Sequence, residues 1–131
     1  MEFIGHFLLA GVLFAAIDAL WIGVVANKFY KKELGGLLRD KPDFVPAVIF
    51  YFISVTAMVV FVINPALDLG NDGLGFALGH GALLGLASYA AYDLTNASTL
   101  KGWSKAVTVV DLLWGTFVTA LVTTVAYLIL R

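Results

Sequence analysis

The sequence predicts an all-α integral membrane protein of four transmembrane helices, and three observations carry that reading. Of 131 residues, 61% are hydrophobic and 13% charged, which is more apolar surface than a soluble core of this size can hide. The apolar residues gather in four runs, at about residues 3–27, 44–63, 74–94 and 106–130, each close to the ~20 residues that a helix needs to cross a bilayer. The charges fall mainly between these runs.

The first run is longer than a signal-peptide core, starts with Glu2 rather than a basic residue, and meets Asp18 before any cleavage site. It is expected to remain in the mature protein. Lys28, Lys31, Lys32, Arg39 and Lys41 follow it. Within that linker Tyr30, Leu34 and Leu38 recur at helical spacing beside Phe29 and Leu37, which predicts a short interfacial helix over residues 29–39. Gly35 and Gly36 interrupt it, and Pro42 ends it before the second span. The second and third spans are joined by Asp68-Leu-Gly-Asn-Asp-Gly73, a turn without the alternating ligands and final glutamate of a calcium loop. Lys101 and Lys105 separate the third span from the fourth. Cytoplasmic loops retain Lys and Arg, so both basic linkers are expected inside and both chain ends outside, in one domain spanning residues 1–131.

The third span echoes the first. Gly5-His6, Gly11 and Ala15-Ala16-Ile17-Asp18 align with Gly79-His80, Gly85 and Ala90-Ala91-Tyr92-Asp93 after a single-residue gap, which predicts two repeated helical hairpins. Gly75 and Gly79, then Gly81 and Gly85, form small-xxx-small pairs, and they mark the third helix as the central one. Gly115, Thr119 and Thr123 form a similar ridge on the fourth.

Composition removes several functions. Net charge is −1, and of the eight basic residues seven sit in short linkers and the eighth is Arg131 at the chain end, so there is no basic stripe for nucleic acid. Without cysteine there is no disulfide framework and no thiolate chemistry. His6 and His80 lie some 18–20 Å along their helices from the matching aspartates, too far to share a shell with them. No phosphate loop, nucleophile elbow or His-Glu-x-x-His helix occurs, and no metal or cofactor is expected.

What remains is acidic. Asp18, Asp93 and Asp111 all lie inside apolar spans, and counting along each helix puts them in the half nearer the basic linkers. A carboxylate at such a depth is costly and marks a functional site by default. Helical spacing sets Trp21 beside Asp18, Tyr89 and Asn96 beside Asp93, and Thr108 and Trp114 beside Asp111. Aromatic faces and carboxylates together suit a cation, and acids brought close together can hold a proton and release it when that cation arrives. Trp103 reads as part of a membrane-interface belt.

The run Tyr92-Asp93-Leu94-Thr95-Asn96, followed by Thr99-Leu100, Trp103, Asp111 and Trp114-Gly115, together with Asp18 and Trp21, resembles a family of small bacterial membrane proteins, domain of unknown function 2177. The resemblance covers nearly the whole chain. It implies a bacterial integral membrane protein and carries no catalytic assignment.

Three functions fit these residues. The first is a transporter-like protein of the bacterial inner membrane, whose acidic-aromatic site (Asp18, Asp93, Asp111, Trp21, Trp114, Tyr89 and Asn96) binds a small cation or polar solute in exchange for a proton. Four short helices enclose little space, so a homo-oligomer or a membrane-protein partner is expected. The second is a structural or accessory subunit of a membrane complex. The third is a membrane-embedded enzyme acting on a lipid or isoprenoid with paired carboxylates, for which the sequence supplies no nucleophile or cofactor motif.

Overall fold

The computed structural model describes residues 2–131, which are helices joined by short turns. Helix α1 (Glu2–Leu20) runs without a break into a wide π-helical segment, Trp21–Ala26, and on into α2 (Asn27–Leu34), closed by a 3₁₀ turn at Gly35–Leu37. Gly35 adopts φ +45° at that end, a backbone conformation that any side chain would resist. Residues 29–34 of the stretch expected along the interface therefore continue the first span, in a helical run of 36 residues from Glu2 to Leu37.

The second run comprises α3 (Phe44–Met58), a π-helical segment Val59–Ile63 and α4 (Asn64–Asp68). Asp43 starts it, its side chain accepting from the Val45 amide at 3.1 Å. The wide turn abuts Pro65, which has no amide hydrogen and whose ring crowds the carbonyl four residues earlier, so the backbone opens there. A 3₁₀ turn, Gly70–Asp72, leads to α5 (Gly73–Thr99). Helix α6 (Lys105–Leu130) follows, and the Ser104 side chain caps it by accepting from the Val107 amide at 3.1 Å. Among the described residues, four helical runs are thus long and apolar enough to cross a membrane.

The central helix is the fourth span, a correction to the reading that favoured the third. Of the most apolar window of α6, 44% is buried inside the protein, against 17% for the third span. The glycines explain the difference. A Cβ on Gly75 or Gly79 would meet nothing within 4 Å, whereas one on Gly81 would meet Thr123 and Ala120, and one on Gly85 the carbonyl of Gly115. Only the second glycine pair is a contact surface, and it lets α5 press against the Gly115, Thr119 and Thr123 ridge. Thr123 reaches across it, donating to the Ala77 carbonyl at 3.3 Å.

Phe14, Met58, Val59, Ile63, Val118 and Val122 fill the core between α1, the second run and α6. Val12, Ile53, Leu83, Leu113 and Phe117 point outward, an apolar belt that only lipid satisfies. At the end away from the basic linkers, His6 Nδ1 meets the Asn64 side chain at 2.8 Å and the Tyr127 hydroxyl donates to the Gly70 carbonyl. His80 instead bonds the Phe76 carbonyl of its own helix at 3.1 Å and stacks on the Phe76 ring, so the two Gly-His elements have different surroundings. At the linker end Ser104 donates to Glu33 at 3.0 Å, tying α2 to the start of α6.

Candidate functional site

The two Asp-x-x-Trp elements meet face to face. Trp21 and Trp114 stack with ring centroids 4.3 Å apart and planes 8° from parallel. The Trp114 indole N–H donates to Asp18 Oδ1 at 3.3 Å, and the Tyr51 hydroxyl donates to Asp18 Oδ2. Trp114, expected beside Asp111 on its own helix, thus serves the acid of the first span.

Asp111 takes its hydroxyl from elsewhere: Tyr30, on α2, donates to its Oδ1. In a regular α-helix at about 100° per residue, the twelve residues from Asp18 to Tyr30 would leave Tyr30 roughly 120° away from the Asp18 face. The π-helical segment accommodates one extra residue and takes back about 100° of that rotation. Tyr30 therefore returns to the face that carries Asp18 and Trp21. Thr108, the other expected neighbour of Asp111, donates to the Ser104 carbonyl and accepts from the Trp103 indole, each at 3.1 Å.

Asp93 is fully buried, and among the described residues no donor reaches either of its oxygens. Its acidic neighbour is Asp111. Tyr89, one turn earlier on α5, packs its ring over Gly115 and lies within electrostatic reach of Asp18, Asp93 and Asp111. Asn96 neighbours Tyr92.

These side chains surround a cavity of 820 Å³ at the linker end. Asp18, Trp21, Tyr30, Tyr89, Asp111 and Trp114 form its inner wall, while Lys31, Arg39 and Asp40, all exposed, stand at its mouth. Trp103 belongs to the wall as well, packed edge-on against Tyr92 with centroids 5.7 Å apart. Asp93 and Asn96 both lie outside the lining. Of the seven side chains singled out in the sequence, five line one space. Acids at depth, stacked indoles at the side and bases at the rim make a site that can neutralise a cation and hold its ring-facing methyl or methylene groups.

The model of a family described as predicted membrane protein, domain of unknown function 2177, matches residues 3–128. The chain belongs to that family. No curated protein and no solved structure matches it. The resemblance carried by Tyr92 to Asn96 and the two Asp-x-x-Trp elements is therefore one of membership, and the four apolar spans agree with the family's description.

In this member of the family the sequence reading overlooked Tyr30 and Tyr51. Its spacing with Leu34 and Leu38 places Tyr30 in an interfacial helix, and a regular α-helix would hold it off the acidic face. Tyr51 sits among Phe50, Phe52 and Ile53 and looks like one more lipid-facing aromatic. Its signal was its hydroxyl, the first inside the second span, at a depth that matches Asp18 on the antiparallel first span.

Proposed function

We propose that this protein binds a small cation or polar solute in the acidic-aromatic cavity in exchange for a proton, in the manner of a transporter. The observation that carries the reading is the presence of Asp18 and Asp111 in one 820 Å³ cavity walled by the Trp21–Trp114 stack. That volume falls within the roughly 300–1,000 Å³ typical of small-molecule sites. Indole faces attract a cation and the carboxylates neutralise its charge. Asp93 and Asp111 are adjacent carboxyls, and among the described residues no donor reaches Asp93, an arrangement suited to a shared proton. A cation reaching Asp111 competes with that proton. The basic linkers set the mouth of the cavity on the cytoplasmic side of a bacterial inner membrane, with both chain ends outside. A pathway across the membrane would be completed by an oligomer or a partner, since this cavity opens at the linker end.

Calorimetry in two buffers of different ionisation enthalpy, with tetramethylammonium and a linear polyamine as probes, measures both affinity and protons released. Saturable binding with proton release is expected for at least one probe, and both should vanish in the Asp18→Asn, Asp93→Asn, Asp111→Asn triple variant. Unchanged binding in that variant would sink the reading.

A further inference from the structure

A second space adjoins the cavity. It measures 290 Å³, is lined by Phe50, Ser88, Tyr89, Tyr92 and Asp111, and therefore shares two tyrosines and one acid with the larger space. Its other walls come from α3 and α5, the helices flanking it at the linker end. There α3 stands away from the bundle: residues 44–50 are all exposed, and the reach inward begins at Tyr51, which donates to Asp18. Phe50 touches Tyr89 edge-on, with centroids 6.5 Å apart. Phe50 and Tyr92 are both exposed on the outer surface, at 42% and 58%. The result is a side opening between α3 and α5, within the apolar length of both spans, that leads to the same Asp111 reached from the linker side.

Charge is graded along the larger space. Asp18 and Asp111 lie at its inner wall, and Lys31, Arg39 and Asp40 at its exposed mouth, where the two bases outnumber the one acid. A simple cation would gain nothing from an entrance that is basic on balance, since like charges oppose its approach. A molecule with a cationic end and an adjacent anionic group fits both, with its amine between the acids and its anion toward Lys31 and Arg39. A hydrocarbon tail on that molecule would have an exit, the apolar side opening at Phe50.

We infer that the occupant is an amine-bearing, zwitterionic lipid of the leaflet on the linker side, its headgroup in the acidic-aromatic cavity and a chain leaving between α3 and α5. This deepens the proposed cation site and rests on it. A free phosphorylated amine shares the headgroup chemistry but has no use for the side opening, which is why the lipid is favoured.

The test is native mass spectrometry of the protein in mixed micelles holding equal amounts of phosphatidylethanolamine and phosphatidylglycerol of the same chains, with soluble phosphoethanolamine in a separate arm. Retention of the amine lipid over the glycerol lipid by about tenfold is expected, from the charge-assisted contacts that only the amine makes. Asp18→Asn and Asp111→Asn should each remove the preference. Ser88→Trp, which fills the side opening, should abolish retention of the lipid while leaving tetramethylammonium or polyamine binding intact. Equal retention of the two lipids, phosphoethanolamine binding as tightly as the lipid, or lipid retention unaffected by Ser88→Trp would each overturn the inference and leave the cation site standing. If neither lipid nor cation probe binds, both readings fall together.

Discussion

Trp21 and Trp114 stack within 4.3 Å of each other although one stands on the first span and the other on the last. Because each follows an aspartate by three residues, the stack brings both acids to one side of the bundle and locks the rotation of α1 against α6. Trp114 then turns its N–H to Asp18, whereas the buried Trp21 N–H meets no acceptor among the described residues, and the acid of the last span takes its hydroxyl from Tyr30.

Replacing Trp114 separates its two roles. Trp114→Phe keeps a ring against Trp21 but loses the donor to Asp18, and should weaken binding of an organic cation about three- to tenfold; Trp114→Ala also loses the aromatic face and should weaken it by tenfold or more. Calorimetric titration of the two variants checks the order. Equal affinities for the wild type and Trp114→Ala would place the cation elsewhere.

The π-helical segment predicts an unusual equivalence. Deleting Gly23, an exposed residue with open space around it, should let Trp21–Ala26 relax to an ordinary α-helix and rotate Tyr30 by about 100° away from Asp111. The deletion should therefore match Tyr30→Phe in cation affinity, whereas Gly23→Ala, which keeps the residue count, should behave as wild type. Tyr30→Phe itself removes a hydroxyl from a carboxylate and should lower stability by about 1–3 kcal/mol in detergent unfolding. Wild-type affinity after the deletion would mean that the wide turn does not set the register of α2.

Four spans, the depth of Asp18, Asp93 and Asp111, and the Asp-x-x-Trp faces were all legible along the chain, because each depends on composition or on spacing within one helix. Partners across helices were not. Tyr51 meets Asp18 from a different span, and Tyr30 meets Asp111 only because a π-helical turn shifts the phase by one residue. Gly75 and Gly79 read as a packing pair as well as Gly81 and Gly85 do, and only the rotation of α5 decides which pair faces α6. Likewise, spacing put Asn96 on the Asp93 face, while the structure gives Asp93 a carboxyl neighbour and Asn96 a phenol.

That rotation makes a stability prediction. Gly81→Ala and Gly85→Ala place a methyl against α6, the second 2.7 Å from the Thr119 hydroxyl and still closer to the Gly115 carbonyl. Each should cost about 1–3 kcal/mol through forced separation of the helices. Gly75→Ala and Gly79→Ala meet open space and should be neutral or slightly stabilising, since alanine is the better helix former by about 1 kcal/mol in water. Thermal unfolding of the four variants in one detergent gives the ranking. Equal losses across the two pairs would mean that the first pair is also a contact, as in an oligomer.

Asp93 separates a site from a structural tie. A buried carboxyl that ties helices together accepts from donors on its neighbours, and removing its charge weakens those bonds; among the described residues Asp93 accepts from no donor, and it stands next to the Asp111 carboxyl. An amide in its place can donate to the Asp111 carboxylate, so Asp93→Asn should leave the unfolding midpoint unchanged or raise it, by up to about 1 kcal/mol from the added hydrogen bond. On the proposed mechanism the same variant removes one of the two carboxyls that would share a proton, so proton release on cation binding should fall to near zero while the cation still binds through Asp18 and Asp111. A structural role predicts the reverse, a destabilised protein with an unaltered proton count. The decisive comparison is therefore between the melting curve and the buffer dependence of the binding enthalpy, measured on the same preparation of Asp93→Asn.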